Sequence, residues 1–268
     1  VFYFDNENYK CEWLDNVPND INFKKKINWI EYKLEVILCG KIINQNDIYV
    51  SKNSFNKNSN KIPLLKSHIQ KNIRRSETNK AIKCAKEFLD IDFNQFIRRL
   101  SIIMIEDCVL HNSFSILTWM VAAISFKKND NNIWKPSYND INYCLNIVKY
   151  LSELPTIDYR SKGTFNLKHN IKQVNTLDTN YLNVMYSLDF RKSYGGLKGD
   201  ISMISYFSNV WLNRFKYKQN KVNREFIHIF NNKIDIKLIE NIEYLKDYDL
   251  YSIDFHNNPS MLNILNKE

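Results

Sequence analysis

Apolar residues recur at helical spacing through the middle of the chain. Between Leu64 and Leu154 they repeat every three or four residues, which is the pattern of helices with one buried face. The predicted helices span residues 63–74, 76–89, 93–109, 114–126 and 137–154. Residues suited to begin a helix stand at their starts: Pro63, Ser76 or Glu77, Asp92, Ser113 and Ser137. The fourth helix is apolar nearly all round, so we expect it at the centre of the core.

The N-terminal residues have a mixed pattern. Residues 1–18 alternate aromatic and polar positions, which suits a short strand or an extended arm. Apolar residues at helical spacing predict a helix over 22–38, with Gly40 as its C-terminal cap. Residues 42–50 are expected to form a strand, and the polar run 52–61 is expected to form a loop.

The pattern weakens after the fifth helix. Residues 156–178 show no periodicity and predict a functional loop or a linker. Helices are predicted again over 180–191, over 201–217 with Asp200 as the N-cap, and over 234–245. The chain contains no internal repeat.

We therefore expect a mainly α protein: a helical bundle core with a second helical part and a short extended N-terminal arm. The 268 residues are enough to bury a sizeable core. The expected divisions are an N-terminal arm and helix (1–61), the bundle core (62–155), a loop or linker (156–178) and a C-terminal helical part (179–268).

Charge points to an anionic partner. The formal net charge of +9 favours nucleic acid ahead of a membrane surface. Lysine, asparagine and isoleucine are abundant throughout, as an AT-rich coding sequence would produce, so a solvated basic surface is the alternative. Basic residues concentrate on the first two central helices: Lys66, Lys71, Arg74, Arg75, Lys80, Lys83 and Lys86. Lys71, Arg74 and Arg75, near the corner between these helices, are candidate phosphate contacts.

The cysteines argue against a metal or redox motif. Cys11, Cys39, Cys84, Cys108 and Cys144 are widely spaced, and no Cys-x-x-Cys occurs. Those in the central helices have apolar neighbours and are expected to be small buried residues in a reducing compartment, the cytoplasm or nucleus. The longest uncharged stretch, 112–126, is shorter than a membrane span requires. We expect no metal, no cofactor and no membrane contact.

Glycine is rare but clustered at one place. Three of the five glycines, Gly195, Gly196 and Gly199, lie within five residues. As a structural feature, the cluster suits a corner between two helices. As a functional feature, it suits an anion cradle, because Arg191, Lys192 and Lys198 flank it and a helix begins next to it. The pattern does not match the P-loop of nucleotide-hydrolysing proteins.

Two groups of residues are candidates for acid–base chemistry. Glu106 and Asp107 lie near the end of a predicted helix, where the dipole disfavours carboxylates, and His111 follows closely. Ion pairing with arginines of neighbouring helices is the structural interpretation, and a metal or general-base role is the functional one. Asp254 and His256 are two apart, so in an extended segment the carboxylate could orient the imidazole.

Residues 67–123 resemble part of a known family. The segments that carry the resemblance are Ser67–Ser76, Ala81–Leu89, Asp92–Leu100 with its Phe-Ile-Arg-Arg-Leu, and Glu106-Asp107. They are similar to the helical region behind the ATPase module in RarA-type AAA+ proteins, the group of the Werner-helicase-interacting ATPases. The chain lacks a Walker A sequence, so the resemblance implies a helical, oligomerising, replication-associated module and no ATP hydrolysis.

The matching positions are Arg98, Arg99, Glu106 and Asp107. The sequence thus favours a nucleic-acid-associated protein, a replication or repair accessory that holds the phosphate backbone. The alternatives are a phosphodiester hydrolase that uses a metal or acid–base residues, and a scaffold that binds only protein. A homo-oligomer or a protein partner fits any of these functions.

Overall fold

A computed structural model describes residues 1–43, 47–50, 61–125, 133–154, 177–194, 196–216, 229–230, 232–235 and 242–245. Within these residues lie four strands and seven α-helices. The chain is mainly α, with a mixed four-stranded sheet at its N-terminal end.

The sheet is built from the first 41 residues. Its strands are β1 (Phe2–Asp5), β2 (Lys10–Trp13), β3 (Phe23–Trp29) and β4 (Leu34–Lys41). The spatial order is β2-β1-β4-β3, with β1 and β4 parallel and the other two pairs antiparallel. The N-terminal residues thus form strands, which confirms one of the two expected alternatives, and the separate extended arm is wrong.

The helix predicted over 22–38 is wrong, since these residues form the β3–β4 hairpin. Positions along β3 alternate strictly between buried and exposed, which is the period of a strand. Ile30 and Leu34, two of the apolar residues whose spacing predicted the helix, are 83% and 54% exposed at the turn. Lys33 turns the chain there with φ 53°, in the left-handed region.

Gly40 lies inside β4 and does not cap a helix, contrary to expectation. A Cβ at this position would lie 2.8 Å from the carbonyl oxygen of Phe4 and 2.9 Å from Cδ1 of Ile42. The close approach of β1 to β4 therefore requires glycine. Beyond β4, the strand expected over 42–50 is reduced, in its described residues, to a single bridge between Ile48 and Ser137.

In the described part of the chain, seven helices follow the sheet. They are α1 (Ile62–Arg74), α2 (Thr78–Ile91), α3 (Phe93–Asp107), α4 (Ser113–Ile124), α5 (Tyr138–Glu153), α6 (Thr179–Arg191) and α7 (Lys198–Lys216). The five central helices and α6 confirm the sequence pattern to within a few residues. Asp92 accepts the backbone N–H of Gln95, and Ser137 forms a capping box with Asp140, as their positions predict.

Two C-terminal expectations are wrong. Helix α7 begins at Lys198, so Asp200 lies in its first turn and is not its N-cap. Of the helix predicted over 234–245, the described residues 234–235 and 242–245 are not helical. The segments 156–176 and 251–259, including Asp254 and His256, lie outside the described residues.

Helix α4 is the centre of the core, as predicted. Residues 113–123 are all buried, whichever face of the helix they occupy. The indole Nε1 of Trp119 donates to the carbonyl oxygens of Phe2 (3.3 Å) and Cys39 (3.1 Å), so this helix is fastened to β1 and β4. One hydrophobic cluster runs from the sheet through the helices to Phe230.

Candidate functional site

Four basic side chains meet where α3 packs against its neighbours. This cationic cluster consists of Lys66 of α1, Arg98 and Arg99 of α3, and Arg191 of α6. Nζ of Lys66 donates to Oε1 of Gln95 at 2.6 Å, and Arg99 donates through Nη2 to Oε1 of Gln70. These bonds hold α1 and α3 together and fix the two cations beside each other.

Arg98 and Arg191 occupy the other side of the cluster. Nε of Arg98 donates to Oδ1 of Asn94 at 2.9 Å, and its Nη1 donates to the carbonyl oxygen of Tyr194. Arg191 is only 2% exposed, and it donates to Oγ of Ser101 (3.3 Å) and to the carbonyl oxygen of Arg98 (3.4 Å). The Arg191 guanidinium therefore packs against the backbone of α3 at Arg98, close enough for the charge on Arg98 to act on it.

Three of the four cations bind neutral groups. Among the described residues, Lys66, Arg98 and Arg99 form no ion pair, and their hydrogen bonds go to neutral amide, carbonyl and hydroxyl groups. Nε of Arg99 and the hydroxyl of Tyr194 are buried without a hydrogen-bond partner in that part of the chain. Buried polar groups normally have such partners, so these two can still accept or donate a hydrogen bond at the cluster, as can other unsatisfied buried groups elsewhere in the described residues, such as Thr118 and Trp134.

The pKa values of three of these cations are lowered, mainly by burial. Burial lowers the pKa of Lys66, and the charge on Arg99 lowers it further. Burial also lowers the pKa of Arg98, and burial together with Arg98 lowers that of Arg191 to about 10. Asp92 opposes the lowering of the pKa at Lys66 and Arg98, and Asp200 opposes it at Lys66 and Arg191.

The predicted glycine corner lies beside this cluster. Gly196 has φ 142°, which favours glycine, and a Cβ there would lie 3.5 Å from Cβ of Asp200. Gly199 lies in the first turn of α7, and a Cβ added there would meet no atom within 4 Å. Gly196, Lys198 and Gly199 are exposed, so the amides of this turn are accessible from solvent, while Gly195 lies outside the described residues.

The remaining predicted anion contacts are distributed differently. Lys192 binds Asp189 (2.5 Å) and Glu31 (3.6 Å), so it links α6 to the β3–β4 hairpin. Arg74 on α1 binds the buried Asp107 at 2.6 Å. Farther along the basic face, Lys80 pairs with Glu77 and Lys86 with Asp90. Arg75 on this face is exposed and Lys71 is partly exposed.

The carboxylates predicted for acid–base chemistry serve as helix contacts. Asp107 accepts from Nε2 of Gln70 (2.6 Å) as well as from Arg74, and Glu106 accepts from the same amide at 3.0 Å. The ion-pair interpretation of Asp107 is therefore confirmed. In the part of the chain that the structure describes, no three His, Cys, Asp or Glu side chains come together as a metal site.

His111 has a structural environment. Its Nδ1 accepts the backbone N–H of Ser113 at 3.1 Å, and its Nε2 lies 2.6 Å from the carbonyl oxygen of Asn232. The ring is therefore the neutral tautomer with its proton on Nε2, and it caps the start of α4. Burial lowers the pKa of His111 to about 4, so it stays neutral at physiological pH.

All five cysteines are free thiols, and four of them are buried. Burial raises the pKa of each, to about 11 for Cys39. Because the thiolate is the nucleophilic form, none of these cysteines is activated for catalysis at neutral pH.

A cleft elsewhere in the described residues was not predicted from the sequence. A cleft of about 530 Å³ opens between β2 and the N-terminal ends of α4 and α6. Its lining includes Tyr143 of α5 and Asn183 of α6. Spacing alone does not single out either residue, because both occupy ordinary positions of amphipathic helices.

Lys66, Arg98 and Arg99 were visible in the sequence only as part of the basic face or of the family resemblance. Their convergence with Arg191 depends on how α1, α3 and α6 pack. None of the described helices has the length and apolar character to cross a bilayer. Comparison with family models, curated proteins and solved structures finds no match to this chain, so the resemblance to RarA-type proteins stays a prediction.

Proposed function

We propose that the protein binds the phosphate backbone of a nucleic acid at the cationic cluster. The observation that carries the proposal is the set of three partly buried cations, Lys66, Arg98 and Arg99, without carboxylate partners among the described residues. Keeping such charges in a protein costs free energy unless an anion offsets it. A phosphate oxygen forms short, charge-assisted hydrogen bonds with both lysine and arginine.

The first turn of α7 adds a second attraction for phosphate. The amide groups of a helix's first turn lack intrahelical partners and carry the positive end of the dipole. The absence of a side chain at Gly199 and Gly196 lets a phosphate approach this backbone closely. Lys198 is exposed at the same turn and extends the positive surface outward.

Among the described residues, Asp92 and Asp200 are the acidic residues whose charges act on the cluster, and Asp200 is the one that acts on both Lys66 and Arg191. Its carboxylate raises the pKa of both Lys66 and Arg191, so it partly replaces the phosphate that we propose. A bound phosphate would compete with this carboxylate. Asp200 thus lowers the affinity of the cluster for a single phosphate. A ligand with several phosphates can offset this loss through contacts with other basic residues, since the net charge of the chain is +9.

The test is the binding of a fluorescently labelled oligonucleotide, measured by anisotropy at 50 and 200 mM salt in single- and double-stranded form. Lys66→Gln and Arg99→Gln each remove one cation and are expected to weaken binding about five- to tenfold and to reduce the salt dependence. Asp200→Asn is expected to strengthen binding by a similar factor, because it removes the competing charge.

Lys149→Gln is the matched control, since it removes one exposed cation from α5, away from the cluster. The proposal is wrong if this control weakens binding as much as Lys66→Gln and Arg99→Gln do. It is also wrong if Asp200→Asn fails to tighten binding, or if the unmodified protein binds equally well at both salt concentrations.

A further inference from the structure

The cleft between β2, α4 and α6 has a buried floor and a polar rim. Ile116 and Val184 on its floor are 3% and 1% exposed, and the stacked rings of Tyr9 and Tyr143, 4.1 Å apart, form one wall. Exposed polar residues surround the opening: Asn8, Lys10, Asn112, Asn180 and Lys233. Its volume of about 530 Å³ is in the range of small-molecule sites.

Two hydrogen-bonding groups on the floor lack protein partners among the described residues. Asn183 is 6% exposed, and its Oδ1 accepts the backbone N–H of Trp13 at 2.8 Å. Its Nδ2 makes no hydrogen bond to any described residue. The hydroxyl of Tyr143, a residue that is 4% exposed, likewise has no partner there. Because Trp13 fixes the amide orientation, Asn183 can offer the cleft only its NH₂ donor.

The rim carries an excess of positive charge. Lys10 pairs with Glu12 at 2.9 Å, so these two charges cancel. Lys233 is exposed and forms no ion pair with a described residue. The side-chain amides of Asn112 and Asn180 add further donors at the opening. An occupant would therefore meet uncharged donors at the floor and a positive charge at the opening.

We infer that this cleft binds a small organic anion with a neutral acceptor at its buried end and an anionic group at its open end. A nucleoside monophosphate has this chemistry: base carbonyl oxygens face Asn183 and Tyr143, and the phosphate lies near Lys233. The inference does not rest on the proposed function. Asn183 and Arg191 are eight residues apart on α6, about 12 Å along its axis, so the cleft and the cationic cluster are separate sites.

The experiment is isothermal titration of the protein with uridine 5′-monophosphate, with uridine and with inorganic phosphate. Asn183→Asp keeps the acceptor for Trp13 but replaces the donor by an oxygen, and it is expected to weaken nucleotide binding at least about tenfold. Tyr143→Phe removes only the hydroxyl and leaves the ring stacked on Tyr9, with an expected loss of about fivefold.

Tyr138→Phe is the matched control, because it makes the same change at an exposed position of α5 and should not affect binding. Tyr143→Phe decides the result even if the buried charge in Asn183→Asp prevents folding. The inference is overturned if the protein does not bind the nucleotide, if Tyr143→Phe binds it as tightly as the unmodified protein, or if phosphate alone binds equally well. Lys66→Gln should leave nucleotide binding unchanged, and a loss in that variant would place the ligand in the cationic cluster.

Discussion

Exchanging two glycines for alanine tests the least expected part of the fold, the parallel pairing of β1 with β4. Gly40 is the register partner of Phe4 in this pair. An alanine Cβ at residue 40 would lie 2.8 Å from the Phe4 carbonyl oxygen, 2.9 Å from Cδ1 of Ile42 and 3.3 Å from Cζ2 of Trp119. Only the Ile42 side chain can move easily, since the carbonyl belongs to the sheet and Trp119 is fully buried.

The expected cost follows from these contacts. Inserting a methyl group into a packed core costs about 1–3 kcal/mol, and a contact with sheet backbone favours the upper end, so we expect Gly40→Ala to lower stability by about 3 kcal/mol. Gly199→Ala is the matched control because nothing lies within 4 Å of its added Cβ. Its position in the first turn of α7 predicts a gain of up to about 1 kcal/mol from helix propensity.

Urea denaturation followed by tryptophan fluorescence measures both variants. The midpoint should fall for Gly40→Ala and stay equal or rise for Gly199→Ala, with the same slope for both. Equal stabilities of the two variants would show that β4 does not approach β1 at Gly40. The register of β1 against β4 would then be wrong.

Three further predictions concern stability and reactivity. Ser137→Ala removes the capping box of α5 and should cost about 1 kcal/mol in urea denaturation. The pKa of His111 falls from 6.5 to about 4 on folding, so the unfolded chain binds more protons between these values. The stability that neutral His111 contributes is therefore present above pH 6.5 and is lost as the pH falls towards 4. The loss in the free energy of unfolding is about 3 kcal/mol in total. In denaturation curves measured across this pH range, His111→Gln should lack this pH-dependent loss of stability. A thiol reagent at pH 7.5 should label the native protein at least about a hundredfold more slowly than the urea-unfolded chain, because the pKa values of all five thiols are raised. Rapid labelling of the native protein would contradict the burial of these cysteines.

The central helices could be predicted because local signals agree there. The helical period of the apolar residues, the capping residues and the turn residues all predict the same segments, as at Asp92 and Ser137. The β3–β4 hairpin could not be predicted from its apolar residues, since Lys25 occupies an inward position of β3. Its Nζ donates to the carbonyl oxygen of Ser125 (2.8 Å) at the C-terminal end of α4. A lysine that caps a distant helix breaks the apolar alternation by which a strand is recognised.

The sequence could suggest the glycine corner and Arg191 as a candidate anion site because Gly196, Arg191 and the start of a helix are neighbours in the sequence. The other cations of the cluster were not. Lys66 and Arg99 belong to helices whose mutual packing is set by buried apolar side chains, and sequence spacing within either helix does not encode it. Tertiary packing therefore decides which basic residues lie close enough together to bind one phosphate. It also decides which of them, like Arg74, are paired with a carboxylate.

The cleft shows the same dependence on packing, with an additional condition. Asn183 appears in the sequence as an ordinary polar position of α6, equally able to donate and to accept. Its Oδ1 becomes committed only because the end of β2 brings the Trp13 amide within 2.8 Å. That strand in turn is held by its antiparallel pairing with β1, whose partner on the other side is β4. The N-terminal sheet thus determines that the floor of the cleft offers hydrogen-bond donors to the acceptor of the proposed ligand. A change that shifts β4 at Gly40 should therefore weaken nucleotide binding in the cleft.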